Sequence, residues 1–180
     1  MNKRGRPTAA ERAARDERIL DVATDLFLEH GFANVALERI AAEAGVTKRT
    51  LYTAVGDKPA LLRAVVRRQH TYEDAPAADL ETTAAAICGA LLSDRAVALH
   101  RLVIAEALRS PELAREFLDA GPLAAQDALV RAGAAPGTAA ELFTLLLGEL
   151  HRERLLGLAP APTPAEVGAR AARALAVLST

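Results

Sequence analysis

Three glycines, Gly31, Gly45 and Gly56, divide an early part of the chain into segments of only two or three helical turns. Helices this short are unstable in isolation, because nucleation costs more than a few hydrogen bonds return. They must therefore pack against a longer element, and residues 9–30 directly before them can supply it. This requirement for a small packed bundle is the strongest constraint on the fold.

The longer element is predicted to be a helix over residues 9–30. Thr8 followed three residues later by Glu11 is typical of a capping box, and Gly31 stands where a C-terminal cap with positive φ is expected. Between them, apolar residues recur at helical spacing. Shorter helices are predicted at residues 37–44 and 47–55, and a fourth from Asp57 as N-cap to about residue 73.

The whole chain is predicted to be all-α. Ala and Leu, which favour helices, dominate, and aromatic residues reach only 3% of the 180 residues. From residue 75 on, turn signals at residues 93–94, 110–111, 121–122, 133–137 and 160–164 separate about six further helices. We expect an N-terminal three-helix helix-turn-helix domain and a larger C-terminal helical domain, with nine or ten helices in all.

Several classes of protein are disfavoured. The single cysteine, Cys88, excludes an internal disulfide, and no apolar run approaches the roughly 20 residues that span a bilayer. The basic N-terminus leads into a charged stretch rather than a signal peptide, so we expect a cytoplasmic protein without a membrane partner. Four scattered histidines and the absence of catalytic, metal or phosphate-loop motifs predict no enzyme activity, metal or cofactor.

Charge is distributed unevenly along the chain. Residues 1–68 hold 13 Lys and Arg against 9 Asp and Glu, a net charge of +4, whereas residues 69–180 hold 9 against 14, a net charge of −5. The first part is therefore suited to a polyanion and the second is not.

Residues 40–52 carry the features of a helix-turn-helix. Small Ala41 lets two helices cross closely, Gly45 allows the sharp turn, Val46 fills the space between the helices, and Thr47 can cap the second helix. At 100° per residue, Leu51 and Val55 fall together on the inward face of that second helix.

The outward face of the second helix is cationic and rich in hydrogen-bonding groups. It presents Arg49, Tyr52 and Thr53, flanked by Lys48 and Thr50. Such a face can reach base edges in a major groove, and Arg49 is best suited to a bidentate guanine contact. Cations here oppose the helix dipole, which suggests that they serve a partner. The alternative is a solvated basic patch on an ordinary helical bundle.

Residues 9–68 resemble the DNA-binding domain of the TetR family, in which helix 1 ends in Gly-aromatic and helix 4 opens with Lys-x-x-Leu-Leu. The matching segments are Gly31-Phe32, Ile40-Ala41, Ala44-Gly45-Val46, Thr50-Leu51-Tyr52, Gly56-Asp57-Lys58 and Ala60-Leu61-Leu62. Val35-Ala36 departs from the family, which usually has Thr or Ser capping helix 2. Ala54-Val55 also departs, standing where helix 3 usually ends in two aromatic residues or His-Phe.

The resemblance implies a DNA-recognition surface and a phosphate contact. The surface consists of Thr47, Lys48, Arg49, Thr50, Tyr52 and Thr53. Lys58 would bind phosphate from the start of helix 4. In the basic arm, residues 1–8, Arg4 and Arg6 resemble the core of an AT-hook that enters the minor groove. The alternative for the arm is salt-dependent, non-specific affinity.

The resemblance also divides the chain into a basic disordered arm at residues 1–8, a helix-turn-helix domain at 9–58, and a ligand-binding and dimerisation domain at 59–180. Helix 4 is then the connector. Residues 101–107 and 110–117 loosely resemble a common class of TetR-family C-terminal domains.

In this family the last two helices pair with those of a second copy. The apolar positions that would form this homodimer interface are Leu142, Leu146, Leu150, Val167, Ala171, Ala174, Leu175 and Leu178. The alternative is that these residues only complete a monomeric core. The candidate pocket for a small-molecule effector consists of the few polar or aromatic side chains among apolar positions: His70, Tyr72, His100, Glu106, Phe117 and His151. For each of these, packing or solvent exposure is the alternative.

The sequence thus predicts a sequence-specific transcriptional regulator. In the family's usual mode it would be a repressor, released from a pseudo-palindromic operator in double-stranded DNA by a small-molecule effector. One alternative is a weakly specific architectural DNA-binding dimer without ligand control. Another is a ligand-binding or enzymatic bundle with a vestigial helix-turn-helix, which would not bind DNA specifically.

Overall fold

The computed structural model describes residues 8–70 and 79–178, and within these ranges the chain forms ten α-helices and one π-helical turn. The all-α prediction is confirmed. The helices are α1 (Ala9–His30), α2 (Leu37–Glu43), α3 (Lys48–Val55), α4 (Lys58–Gln69), α5 (Leu80–Leu91), α6 (Asp94–Ala107), α7 (Pro111–Leu118), α8 (Ala124–Arg131), α9 (Ala139–Leu156) and α10 (Pro164–Leu178).

The chain folds as two compact units, which divide between Val65 and Val66. The division lies inside α4, later than the expected boundary between residues 58 and 59. The first unit contains α1–α3 and the second contains α5–α10. Among the described residues, no helix is both long and apolar enough to cross a membrane.

The first unit is built on α1, whose bounds agree with the predicted helix. The capping box is present: the Thr8 hydroxyl accepts from the Glu11 amide at 3.2 Å, and the Glu11 carboxylate accepts from the Thr8 amide at 2.7 Å. α2 and α3 pack on α1 and on each other, and bury Ile40 and Leu51 completely. The short helices are thus stabilised by packing, as their lengths require.

The start of α2 lacks a side-chain cap, because Ala36 occupies the N-cap position. Burial holds the helix instead: Val35 and Leu37, on either side of the cap, are 1% and 7% exposed. α2 is followed by Gly45 with φ +68°, a conformation that side chains with a Cβ rarely adopt. The turn of the helix-turn-helix therefore depends on this glycine.

The core of the second unit lies between α5, α8, α9 and α10. Its buried residues include Ile87 and Cys88 of α5, Leu129 of α8 and Leu146 of α9. α10 packs chiefly against α5. Predicted helix starts are confirmed at α6 and α7, where Ser93 and Ser110 accept a hydrogen bond from the third amide of each helix.

Two features of the second unit differ from the sequence prediction. The predicted turn at residues 121–122 is instead a π-helical turn, Asp119–Leu123, which joins α7 to α8 without a loop. Pro122 has no amide hydrogen, and this wider turn accommodates the missing donor. The second feature, a break in α9, was not predicted: Gly148 has φ +51° and ψ −154°, which are not helical values.

Candidate functional site

The turn between α2 and α3 fixes the start of the candidate recognition helix. Thr47, in extended conformation, caps α3 by accepting a hydrogen bond from the Thr50 amide at 3.1 Å. The two threonine hydroxyls lie 2.8 Å apart. Because Leu51 is fully buried on the inner side of α3, the opposite side faces solvent. The predicted cap and the inward position of Leu51 are confirmed, whereas Val55 is only half-buried.

The outward side of α3 exposes Arg49, Tyr52 and Thr53. The Thr53 hydroxyl donates to the Arg49 carbonyl oxygen at 2.8 Å, so this hydroxyl is already used within the helix. The Arg49 guanidinium has neither an ion pair nor a hydrogen bond to any residue that the structure describes. Among the described residues, none competes with an external acceptor for its donors.

Lys48, beside Arg49, is already engaged. Its ammonium group forms an ion pair with the carboxylate of Glu38 in α2, and lies 5.8 Å from the centre of the Tyr52 ring. The hydrogen bond, followed by charge attraction, raises the pKa of Lys48, and the same hydrogen bond lowers the pKa of Glu38. Sequence reasoning missed Glu38, since the partners lie on different helices and ten positions apart.

Lys58 holds the loop that precedes α2. Its Nζ donates to the Ala33 carbonyl oxygen at 3.2 Å and lies 4.5 Å from the centre of the Phe32 ring. Phe32 in turn packs against Phe27 of α1, with ring centres 5.4 Å apart. A phosphate contact from Lys58 would have to share its ammonium with these partners. The predicted cap by Asp57 is present, because its carboxylate accepts from the third amide of α4 at 2.8 Å.

Two parts of the predicted sites lie outside the described residues. These are Arg4 and Arg6 of the basic arm, and Tyr72 of the candidate pocket.

Four of the six predicted pocket residues lie together in the second unit, and we call them the histidine cluster: His70, His100, Phe117 and His151. The Phe117 ring meets the His70 and His100 rings edge-on, at 5.4 and 5.0 Å between centres. His100 Nδ1 lies 2.9 Å from His151 Nε2, so one of these nitrogens donates to the other. His70 and His100 are only 6% and 5% exposed.

Burial keeps the cluster uncharged at neutral pH. It lowers the pKa of His100 to about 3, with smaller contributions from His151 and His70. It also lowers the pKa values of His70 and His151. Neutral imidazoles each have one donor and one acceptor nitrogen, so the cluster presents hydrogen-bonding groups in an apolar setting.

The nitrogen atoms of the cluster are not all satisfied. His70 Nδ1 donates to the Val66 carbonyl oxygen at 2.8 Å, which leaves Nε2 as an acceptor. That Nε2 faces Gly121 in the π-helical turn, where a Cβ would lie 3.0 Å away. His100 Nε2 is buried and has no hydrogen-bond partner in the described part of the chain. A buried polar atom without a partner is costly, so a hydrogen-bonding group bound beside this nitrogen would be stabilising.

The assignment of Glu106 to the pocket stays a prediction. Its carboxylate pairs with Arg109 of the same stretch at 3.4 Å. Among residues 8–70 and 79–178, no three histidine, cysteine or acidic side chains are arranged to hold a metal ion.

The predicted dimer residues are largely interior. Leu142, Leu146, Ala171 and Ala174 are at most 4% exposed and belong to the core of the second unit. Their burial corrects the predicted interface at these four positions, because α9 and α10 use these faces to pack on α5. The other predicted residues are partly buried against the same core: Leu150, Val167, Leu175 and Leu178. The exposed large apolar residues of the two helices are Leu145, Leu156 and Val177.

Two sequence profiles of known families match the chain. The profile described as bacterial regulatory proteins of the tetR family matches residues 19–65. The profile described as the C-terminal domain of AefR-like transcriptional repressors matches residues 78–179. The two matches fall on the first and second structural units respectively.

Two relatives named as transcriptional regulators match part of the chain. The transcriptional regulator SrpR of Pseudomonas putida is 39% identical over 69 residues, which are 38% of this chain and 32% of SrpR. The regulator TtgW, also of Pseudomonas putida, is 39% identical over 69 residues, which are 38% of this chain and 52% of TtgW. The chain thus spans about a third to a half of the length of these relatives.

Solved structures match nearly the whole chain. A TetR-family transcriptional regulator from Mesorhizobium loti has a TM-score of 0.75 at 23% identity, covering 95% of this chain and 96% of that one. The flavonoid-responsive regulator FrrA has a TM-score of 0.71 at 27% identity, covering 92% and 95%. Since the C-terminal profile alone matches more than half of the chain, and the N-terminal profile matches the helix-turn-helix, the protein belongs to the TetR family of bacterial transcriptional regulators.

Proposed function

We propose that this protein is a sequence-specific repressor that binds a pseudo-palindromic operator as a homodimer and is released by a small-molecule effector. The observation that carries the proposal is the outward face of α3, where Arg49 is exposed and its guanidinium has no partner among the described residues.

Arg49 is placed for base recognition in this proposal. A guanidinium can donate two parallel hydrogen bonds to the O6 and N7 atoms of guanine in the major groove. The Thr47 cap fixes where α3 begins, and the burial of Leu51 fixes which side of α3 faces outward. Tyr52 and Thr53 then lie beside Arg49, while Lys58, Arg4 and Arg6 are proposed to contact the phosphates or the minor groove.

A homodimer would present two copies of α3 to two half-sites about one helical turn apart. We propose that the surfaces of α9 and α10 that face away from the core form the interface. Leu145 of α9 and Val177 of α10 are 36% and 60% exposed, and burying them against a second copy would remove apolar surface from water. The partly buried Leu150 and Leu178 would extend this contact.

The proposed effector site is the histidine cluster. His100 Nε2 is buried and unpartnered, so a ligand that satisfied it would stabilise one conformation of the second unit. Because the imidazoles are neutral and packed around Phe117, the site favours an uncharged or aromatic molecule with a hydrogen-bonding group. The similar regulator FrrA is described as flavonoid-responsive, which supports a small-molecule effector. Effector binding would change α4 and so the spacing of the two recognition helices.

The test is selection of bound fragments from the source genome, followed by binding titrations at fixed salt. The proposal expects a pseudo-palindrome bound by two chains. Equal, strongly salt-dependent binding to every duplex would instead indicate the weakly specific architectural protein. Absence of binding would contradict both.

Effector control is tested with the selected operator. Candidate aromatic molecules that raise the melting temperature of the native chain are added to the DNA complex, and the same molecules are tested on His100→Phe. Release of the native chain but not of the variant is expected. Unchanged operator affinity at saturating ligand would contradict effector control, since a ligand shifts an equilibrium only by its differential affinity.

A further inference from the structure

One acidic residue lies directly beside the candidate recognition surface. Glu38 is in the first turn of α2, and its carboxylate accepts a hydrogen bond from the ammonium group of Lys48 in the first turn of α3. The side chains are 62% and 54% exposed, so the pair lies at the surface of the first unit. Lys48 is thereby bound to its own protein in the absence of DNA.

Helix electrostatics explain why each charge lies where it does. Glu38 is favoured near the start of α2, where amides are unsatisfied and Ala36 provides no side-chain cap. Lys48 is disfavoured near the start of α3 for the same reason, since the positive end of the helix dipole repels it. The ion pair offsets that repulsion. It also keeps both groups charged, as the raised pKa of Lys48 and the lowered pKa of Glu38 indicate.

The two neighbouring cations of α3 therefore differ. The Arg49 guanidinium has no partner among the described residues, whereas the Lys48 ammonium must leave Glu38 before it can neutralise a DNA phosphate. Breaking the pair would also leave the Glu38 carboxylate uncompensated and close to the DNA, which is a polyanion. A random duplex does not hold α3 in one register, so it contributes little binding free energy to offset the breaking of this ion pair. An operator that supplies a fixed acceptor for Lys48 contributes more binding free energy.

We propose that Glu38 limits the affinity of this chain for DNA, because it withholds Lys48 from non-operator DNA and must be separated from Lys48 when an operator binds. The inference rests on the proposed function, since it concerns how the chain binds operator and non-operator DNA. Exposed ion pairs change an equilibrium only modestly, about two- to fivefold. Because a genome offers a large excess of non-operator sites, a change of this size alters operator occupancy.

The experiment compares the native chain with Glu38→Gln on the selected operator and on a scrambled duplex of equal length, across a range of salt concentrations. On the scrambled duplex the variant is expected to bind about threefold more tightly, with a slope of log affinity against log salt steeper by about 0.9, as for one more neutralised phosphate. On the operator the slope stays as in the native chain, while affinity rises at least as much as on the scrambled duplex, because the variant has no ion pair to break.

Two controls isolate the pair. Glu43→Gln removes the same charge from the same helix, but Glu43 pairs with Arg39 at 2.8 Å rather than with the recognition helix. In a Lys48→Gln background, Glu38→Gln is expected to have no more effect than Glu43→Gln. Circular dichroism melting of each variant establishes that it is folded.

The outcomes separate the two claims. Suppose that the native chain selects an operator, but Glu38→Gln and Glu43→Gln change the affinity for the scrambled duplex equally. That result would overturn this inference and leave the proposed function standing. A native chain that discriminates between no sequences would overturn the proposed function, and this inference with it.

Discussion

The ring of His100 should make the second unit sensitive to acid. It is 5% exposed, and burial holds its pKa at about 3, below the usual value near 6.5. The titratable groups that influence His100 are His151, His70 and, through His151, Arg154, and none of them is an acid that could stabilise an imidazolium. Because the unfolded chain binds this proton more readily, stability is full above pH 6.5 and is lost as pH falls toward 3.

The size of the effect follows from linkage. Between about pH 7.5 and about pH 5, protonation of His100 in the unfolded chain alone lowers the free energy of unfolding by about 2 kcal/mol. This value changes little if the folded pKa is anywhere well below about 5, because the native ring then stays neutral throughout the interval. It therefore depends mainly on whether the ring is buried.

The assay is urea unfolding followed by far-ultraviolet circular dichroism, for the native chain and for His100→Phe. The variant keeps an aromatic ring beside Phe117 but cannot titrate, so the native chain should lose about 2 kcal/mol more than the variant over this interval. The imidazole proton resonances of His100 should also fail to titrate in the folded chain above about pH 5. Parallel pH dependences of the two proteins would refute the reasoning, since they would mean that the ring is equally protonated in both states.

Three further substitutions, two of them paired with a control substitution, are measured by urea unfolding. Gly148→Ala should destabilise the second unit by about 1–3 kcal/mol, because φ there is +51°, and the added Cβ would also lie 2.9 Å from the guanidinium of Arg170. Gly168→Ala, inside α10 with open space around it, should be neutral or stabilising, and equal losses for both would contradict the strain argument. Thr47→Ala should cost about 0.5–2 kcal/mol through loss of the α3 cap, and an unchanged stability would show that the cap is not used. Leu146→Ala, at a fully buried position, should cost about 2–5 kcal/mol, whereas Leu145→Ala on the exposed side of the same helix should cost much less unless the chain has dimerised.

Local signals in the sequence were sufficient for most of the first unit. The capping box of Thr8 and Glu11, the Thr47 cap and the turn at Gly45 each depend on residues a few positions apart, and all are present. The ion pair of Lys48 with Glu38 joins two helices, so no local pattern indicates it. The outward-facing positions of α3 were therefore predictable, but not which of their side chains is already paired.

The second unit was harder to predict because α9 is apolar around most of its circumference. Periodicity could not decide which side faces the core, and Leu142 and Leu146 were assigned to a partner although they are buried within the unit. The break at Gly148 was hidden in the same leucine-rich run. The histidine cluster was found in part, since polar residues among apolar ones are informative, but its contacts join α6 and α9 across 51 positions of sequence.

The central claim is that the outward face of α3 reads a DNA sequence, and the most direct measurement is the discrimination ratio of Arg49→Ala. Operator duplexes with and without a substitution at each symmetric base pair are titrated at fixed salt, with Arg152→Ala as a control that removes the same charge from the second unit. Arg49→Ala is expected to lose about 1–3 kcal/mol of discrimination at one symmetric guanine, while the control keeps it. A uniform loss of affinity for every sequence in Arg49→Ala would contradict base recognition by α3, since it would make Arg49 a phosphate contact.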